Sequence, residues 1–254
     1  MLSDESEYKM KVYQTLIQHF QVDFLSKEHV DYLEKLKNEF KFYPNVCYDI
    51  GASLTHWTKN AKKIWPDSTC VLFDAFEPAE ILYGEYLYHM GVLSDEDGKE
   101  VKFYQNDIWF RSNSYYRENI HFNNDYSKLF FPPENYLIKK TRTLDSIVKE
   151  RNFPQPELIN IDVQDAELDI LKGAEETLRN TKCLIIKLQH NYKETLRNTK
   201  YLILELQHNQ LNSAPLCNVT KQYLEEKGWV CLAEKFSCGK YDADYCFINF
   251  NLIK

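Results

Sequence analysis

Apolar residues fall into two spacings along this chain. Up to residue 43 they recur at helical intervals, with Val30, Leu33, Leu36 and Phe40 three or four apart. Ser26 precedes that run as an N-cap and Pro44 follows it, so residues 8–43 are expected to form two helices. From residue 46 short apolar runs take over. The expected strands are Val46–Ile50, Thr69–Phe76, Met90–Leu93, Val101–Tyr104, Leu137–Thr143, Leu158–Val163, Cys183–Leu188, Tyr201–Leu206, Val230–Lys235 and Tyr245–Phe250. Strands alternating with helices in this way predict crossover units and a largely parallel sheet. The last two strands, joined through a turn containing Gly239, are expected to pair antiparallel. Asp97-Gly98, between GVLSDE and KEVKFY, is a hairpin signal.

No linker rich in Pro, Gly or Ser divides the chain. The economical organisation is an N-terminal helical extension over 1–44 and one α/β domain over 45–254. Residues 105–133 break the pattern, being rich in Asn, Tyr, Phe and Ser with little periodicity. A polar, aromatic insertion this long reads as a lid whose rings can stack on sugars, with an ordinary surface excursion as the alternative.

Residues 176–193 and 194–211 are a tandem duplication, identical at 13 of 18 positions. Each copy carries the end of a helix, a strand and the polar cap QHN. One slot in a sheet holds one strand, so the other copy must add a strand, bulge out, or pair with a second chain. The second copy is expected in the ancestral slot, because it carries Glu205 where the first has Lys187 and leads directly into the C-terminal part. If the first copy's CLIIKL lay at an exposed edge, it would offer a homodimer contact.

Composition narrows the function classes. The 254 residues carry 38 acidic and 31 basic side chains, a net charge of −7, which disfavours a nucleic-acid binder. At 44% hydrophobic and 27% charged residues the chain reads as folded and globular. No apolar stretch approaches the roughly 18 residues of a membrane span, and MLSDESEYKM lacks a secretory pattern. A soluble, cytoplasmic protein with no membrane partner is the expectation. The seven cysteines contain no C-x-x-C pair and read as small buried hydrophobes, and no convincing metal set is found.

The candidate chemistry begins where Val46–Ile50 runs into Gly51-Ala52-Ser53. Such a small-residue turn, entering a helix, lets a ligand approach the backbone. About 25 residues later the second strand ends in Asp74-Ala75-Phe76-Glu77-Pro78, where an acid can accept hydrogen bonds from ribose hydroxyls. Together these point to an adenosine-containing ligand. A nicotinamide enzyme is disfavoured, because no G-x-G-x-x-G pattern starts at Gly51.

VCYDIGASLTHWT, LFDAFEP, GVLSDEDGKEVKFY, TRTLDSI and ELINIDVQDAELDILKGAEETL follow one another in the order and approximate spacing of the FkbM-type methyltransferase family. The resemblance covers roughly residues 45–250. It implies a Rossmann-like class I methyltransferase fold with a mostly parallel seven-stranded sheet, helices on both faces and the last strand antiparallel. It also implies S-adenosyl-L-methionine as cofactor and O-methylation of a hydroxyl on a small-molecule, sugar or glycan-related acceptor.

On this resemblance Asp49, Gly51 and Ser53 form the first cofactor loop and Glu77 is the ribose ligand. Ser94 and Asp95 lie near the adenine, and Asp162 lies near the transferable methyl as a contact or general base. His208 is a second base candidate, since imidazole titrates near neutral pH. Each has a plainer reading. Asp49 can be a cap, and His208 has a twin in His190 and suits a structural role. Glu167 and Asp169 suit a solvated or capping place at a helix N-terminus.

The chain also departs from the family pattern. Ser53 and Thr55 replace the Asn and second Gly of D-x-G-A-N-x-G. The usual K-I-D-V-E-G reads Asn160, Ile161, Asp162, Val163, Gln164, Asp165. The alternative to an active O-methyltransferase is therefore a catalytically impaired relative serving as a binding or scaffold subunit. Cofactor binding discriminates the two.

Overall fold

The computed structural model of the chain describes residues 4–21, 25–107, 110, 113–116, 134–164, 166–179, 181–188, 201–207, 229–238 and 242–249. Two helices come first, α1 (Asp4–Phe20) and α2 (Lys27–Asn38). The Ser26 side chain accepts the His29 amide at 3.2 Å and caps α2 as its sequence predicts. Leu33 and Leu36 are fully buried, and Val30 and Phe40 pack against the same cluster.

Strands and helices then alternate. β1 (Val46–Ile50) leads to α3 (His56–Ile64), and β2 (Thr69–Asp74) to a 3-10 helix (Glu77–Leu82). β3 (Leu87–Met90), β4 (Val92–Leu93), β5 (Glu100–Phe103) and β6 (Leu137–Arg142) follow. After α4 (Leu144–Arg151) come β7 (Leu158–Ile161) and the short helices α5 (Glu167–Lys172) and α6 (Glu175–Leu178). β8 (Cys183–Leu188), β9 (Tyr201–Gln207), β10 (Trp229–Cys238) and β11 (Asp242–Asn249) complete the described chain.

Among the described residues the main sheet has eight strands rather than seven, in the order β10-β11-β9-β8-β7-β1-β2-β3. The six from β3 to β9 run parallel, and β11 lies antiparallel to both β9 and β10. The duplication supplies the eighth. The first copy forms β8, registered on β7 from Cys183 opposite Leu158, and the second forms β9, beside β11. The second copy therefore does not hold the place next to β7. Nor is CLIIKL an edge, because β8 has a hydrogen-bonded neighbour on each side. Its backbone groups are already paired, which removes the premise of a dimer through that strand.

Asp97-Gly98 does not form a hairpin. The chain does turn there, with Gly98 at φ +80, but β4 and β5 do not pair with each other. β6 lies between them, parallel to β4 and antiparallel to β5, in a separate three-stranded sheet.

Alternation along β1 shows how the main sheet is covered. Cys47 faces a cluster built by α1, α2 and α3 through Leu16, Leu33, Leu36, Trp57 and Ala61. Tyr48 and Ile50 face the opposite cluster, with Leu144 and Ile147 of α4 and Ile170 and Leu171 of α5. Each fully buried Leu or Ile stabilises by roughly 1.5–3 kcal/mol relative to exposure, so both layers are firmly attached. Cys47, Cys70 and Cys183 are buried. Among the described residues no helix is long and apolar enough to cross a membrane.

Candidate functional site

Parallel strands end on one side of a sheet, and β2, β1 and β7 are neighbours in that order. The sequence-predicted residues 49–53, 77 and 162 all lie at or just beyond those carboxyl ends. Past Ile50, the amides of Gly51 and Ala52 both donate to the Phe73 carbonyl of β2, at 2.9 and 3.1 Å. Gly51 has φ +83, and a Cβ there would stand 2.0 Å from the Asp162 carbonyl oxygen. Backbone from β7 thus packs directly on the loop, and only glycine allows it.

Two further loop residues are left-handed, Ser53 at φ 44 and Thr55 at φ 61. These are the positions where the family pattern has Asn and Gly. Both are conformations that Asn and Gly adopt more readily than Ser and Thr do. A β-branched residue held there carries strain of order 1–3 kcal/mol. The Thr55 amide donates to the Ala52 carbonyl at 2.7 Å, and its own carbonyl accepts from Lys59 at 2.8 Å to open α3.

Asp49 is buried in the middle of the sheet, 1% exposed. It caps no helix. Its carboxylate accepts the Thr58 hydroxyl of α3 at 2.6 Å and the Asn160 side-chain amide of β7 at 2.9 Å. Burial pushes its pKa up to about 6, against the pull of those two hydrogen bonds. The residue therefore fastens β1 to α3 and β7 beneath the loop.

Asp74, at the end of β2, uses both oxygens on backbone: one accepts Ser53 N–H at 2.6 Å, the other Phe76 N–H at 2.7 Å. Its pKa too is raised by burial. The Tyr83 hydroxyl donates to the Ser53 carbonyl at 2.7 Å, gripping the loop from the other side. Glu77 is different, with a side chain 71% exposed and an ion pair to Lys139 of β6 at 3.2 Å.

Asp162 follows β7, its amide donating to Ile50 O at 3.0 Å. The Gln164 side-chain amide donates to Asp162 Oδ1 at 2.8 Å, and Gln164 itself is left-handed at φ 57. Asp165, the replacement for the family's glycine, lies outside the described residues. Glu167 is fully buried, and its carboxylate accepts the Val163 amide at 3.3 Å, closing the turn into α5.

Ser94 follows β4 and is buried, with its amide donating to Arg142 O at 2.9 Å, while Asp95 is exposed. Its hydroxyl meets Asp95 at 3.1 Å and the Tyr115 hydroxyl at 3.3 Å. Tyr115 and Tyr116 both donate to Asp169 Oδ2, at 3.0 and 2.7 Å, so Asp169 anchors the insertion instead of standing in solvent at a helix start. Phe110, also from the insertion, stacks on Phe76 with centroids 5.5 Å apart and meets the His19 ring edge-on at 5.7 Å. His208 lies outside the described residues; of the others, Gly51 and Asp162 are brought into direct backbone contact.

A protein-family model described as the methyltransferase FkbM domain matches residues 49–229. The chain belongs to the FkbM methyltransferase family. No curated protein matches it. Among solved structures, this FkbM-family chain is similar to precorrin-6y C5,15-methyltransferase from Geobacter metallireducens GS-15. That match has 11% identity and a TM-score of 0.37, over 90% of this chain and 92% of that one. It is also similar to a ribosomal protein L11 methylase from Lactobacillus delbrueckii subsp. bulgaricus, with 10% identity and a TM-score of 0.39 over 89% and 80%. Human N-acetylserotonin methyltransferase, solved in complex with SAM, matches at 10% identity and a TM-score of 0.38, over 94% of this chain and 56% of that chain. The mostly parallel sheet between helical layers is the architecture expected of a class I methyltransferase.

Four residues of the site escape the sequence reading. Asp74 is visible in LFDAFEP but gives no sign that its carboxylate clamps Ser53. Asn160 is readable only as a departure until register sets it opposite Asp49. Lys139 and Asp169 come from distant segments whose neighbours no local pattern reveals.

Proposed function

We propose that the chain is an S-adenosylmethionine-dependent O-methyltransferase acting on a hydroxyl of a sugar or glycan-related acceptor. The observation that carries this reading is a pair of exposed carboxylates, Glu77 and Asp162, following β2 and β7 on either side of the tight Gly51 loop. Glu77 suits a vicinal diol, since an ionised carboxylate accepts two hydrogen bonds and donates none. The Gly51–Ser53 turn, pressed flat on Asp162, suits close approach of a ligand to the backbone. The residues present therefore fit the cofactor, with Gly51, Ser53, Glu77, Ser94 and Asp95 as the groups that would hold it. When bound, it supplies a methyl group activated on a sulfonium.

The chain's own residues do the rest. Asp162, oriented by the Gln164 amide, would hold the acceptor hydroxyl and take its proton as the carbon–oxygen bond forms and the carbon–sulfur bond breaks, leaving a neutral thioether. Alignment is the larger contribution, because an in-line displacement gains most from fixing donor and acceptor together. Tyr115 and Tyr116, paired at 4.9 Å with Tyr116 exposed, offer a ring face to a sugar.

A second reading, a binding or scaffold subunit without turnover, is favoured by Gln164, which is uncharged where the family pattern has Glu and donates its amide to Asp162. The two are separated by incubating the protein with methyl-labelled S-adenosylmethionine and a panel of free and nucleotide-linked sugars. The proposal expects label on a hydroxyl, reduced about 100-fold or more in Asp162→Asn. Bound donor with no transfer to any acceptor supports the scaffold reading.

A further inference from the structure

Lys139 of β6 is a cation whose side chain is only 11% exposed. Three partners surround its ammonium. It donates to the Ala75 carbonyl at 2.6 Å and to Glu77 Oε1 at 3.2 Å, and it stands 4.8 Å from the Phe103 ring centroid. Ala75 and Glu77 follow β2, whereas Lys139 and Phe103 belong to β6 and β5 of the small sheet. The small sheet thus reaches across to the tip of β2 and takes hold of it through one side chain.

We infer that Lys139 is a positioning residue for the cofactor's ribose, an inference that rests on the reading under Proposed function. Glu77 opens a six-residue 3-10 helix and projects largely into solvent, where a side chain with three rotatable bonds samples many rotamers. A carboxylate that must meet two vicinal hydroxyls binds better if one orientation is fixed beforehand. Lys139 provides that fixing. Its ammonium is held over the Phe103 ring and by Ala75 O, so the charge facing Glu77 does not move with the ligand. Asp74, by contrast, accepts the Ser53 and Phe76 amides and holds the loop itself.

The test compares S-adenosylhomocysteine with its 2′,3′-dideoxyribose analogue by calorimetry, on the wild type, Lys139→Met and Lys139→Arg. Met keeps the apolar stem and removes the ammonium. The wild type is expected to prefer the diol by about 30-fold, as hydrogen bonds to a charged group imply. In Lys139→Met that preference should shrink to about 3-fold, with the dideoxy affinity unchanged, and Arg should restore most of it. Equal weakening of both ligands, or no change in either, overturns the positioning role while leaving the cofactor reading intact. A wild type that binds both ligands equally also overturns it, because Glu77 then reads no diol. A wild type that binds neither overturns the cofactor reading itself and this role with it. Circular dichroism and the thermal midpoint of Lys139→Met exclude unfolding as the cause of a loss.

Discussion

Across the β1–β7 ladder, Asn160 donates its side-chain amide to the buried carboxylate of Asp49 at 2.9 Å. The family pattern has a lysine at that position, so a neutral donor stands where a cation would face the acid. Two consequences follow for the centre of the sheet. Asp49 keeps a hydrogen bond but no countercharge at this position, and burial lifts its pKa from 3.8 to about 6.

The sign of the resulting pH dependence is fixed. A folded-state pKa above the unfolded value means that the native chain binds the Asp49 proton more tightly. The contribution is fully present below about pH 4 and is lost as the pH rises through about 6. About two units correspond to roughly 3 kcal/mol. Urea unfolding of the wild type and Asp49→Asn at several pH values isolates the group. The wild type should lose stability relative to the variant by about that amount between pH 4 and 7. Asn160→Lys should flatten this trend by supplying the missing charge. A wild-type difference from Asp49→Asn that stays constant over this range contradicts the assignment.

Three glycines separate steric from conformational constraint. Gly98 has φ +80 but open space around it, so Gly98→Ala should cost only about 1 kcal/mol. At Gly173 the backbone is ordinary, but a Cβ would stand 2.1 Å from Ser94 O, and Gly173→Ala should cost roughly 1–3 kcal/mol as overpacking. Gly51 combines both faults, with φ +83 and backbone at 2.0 Å, so Gly51→Ala should be the worst of the three, at about 3 kcal/mol or more. Chemical denaturation orders them. Gly51→Ala no worse than Gly98→Ala would mean that the Asp162 backbone yields easily.

Much of this architecture was legible because buried parallel strands write themselves as apolar runs. VCYDI and CLIIKL match β1 and β8 end to end. The edge strand Leu87–Met90 is missed except for its last residue, because the expected strand Met90–Leu93 straddles Gly91, where the chain passes from one sheet to the other. Asp97-Gly98 marked a turn correctly, but a turn signal cannot show that β6, forty residues on, enters between the strands it joins. The site divides in the same way. Asp49, Gly51 and Asp162 are read from local motifs, whereas Lys139 and the Asp169 contacts depend on which distant segments meet.

Asp169 should control the order of the insertion's described end. It accepts both the Tyr115 and Tyr116 hydroxyls, and each hydrogen bond to a charged group contributes about 1.5–3 kcal/mol. In Asp169→Ala the amides of Asn113–Tyr116 should exchange faster by about 10-fold or more, with little change in β1 and β7. Exchange as slow as in the wild type would mean that the Phe110 contacts alone hold the segment.

The proposed S-adenosylmethionine site lies at the carboxyl ends of β1, β2 and β7. Calorimetric titration with S-adenosylmethionine and S-adenosylhomocysteine, repeated on Glu77→Ala, tests it most directly. The account predicts micromolar binding of both by the wild type, weakened about 10-fold or more in the variant. Absence of heat with either ligand, or equal affinity in wild type and variant, would contradict it.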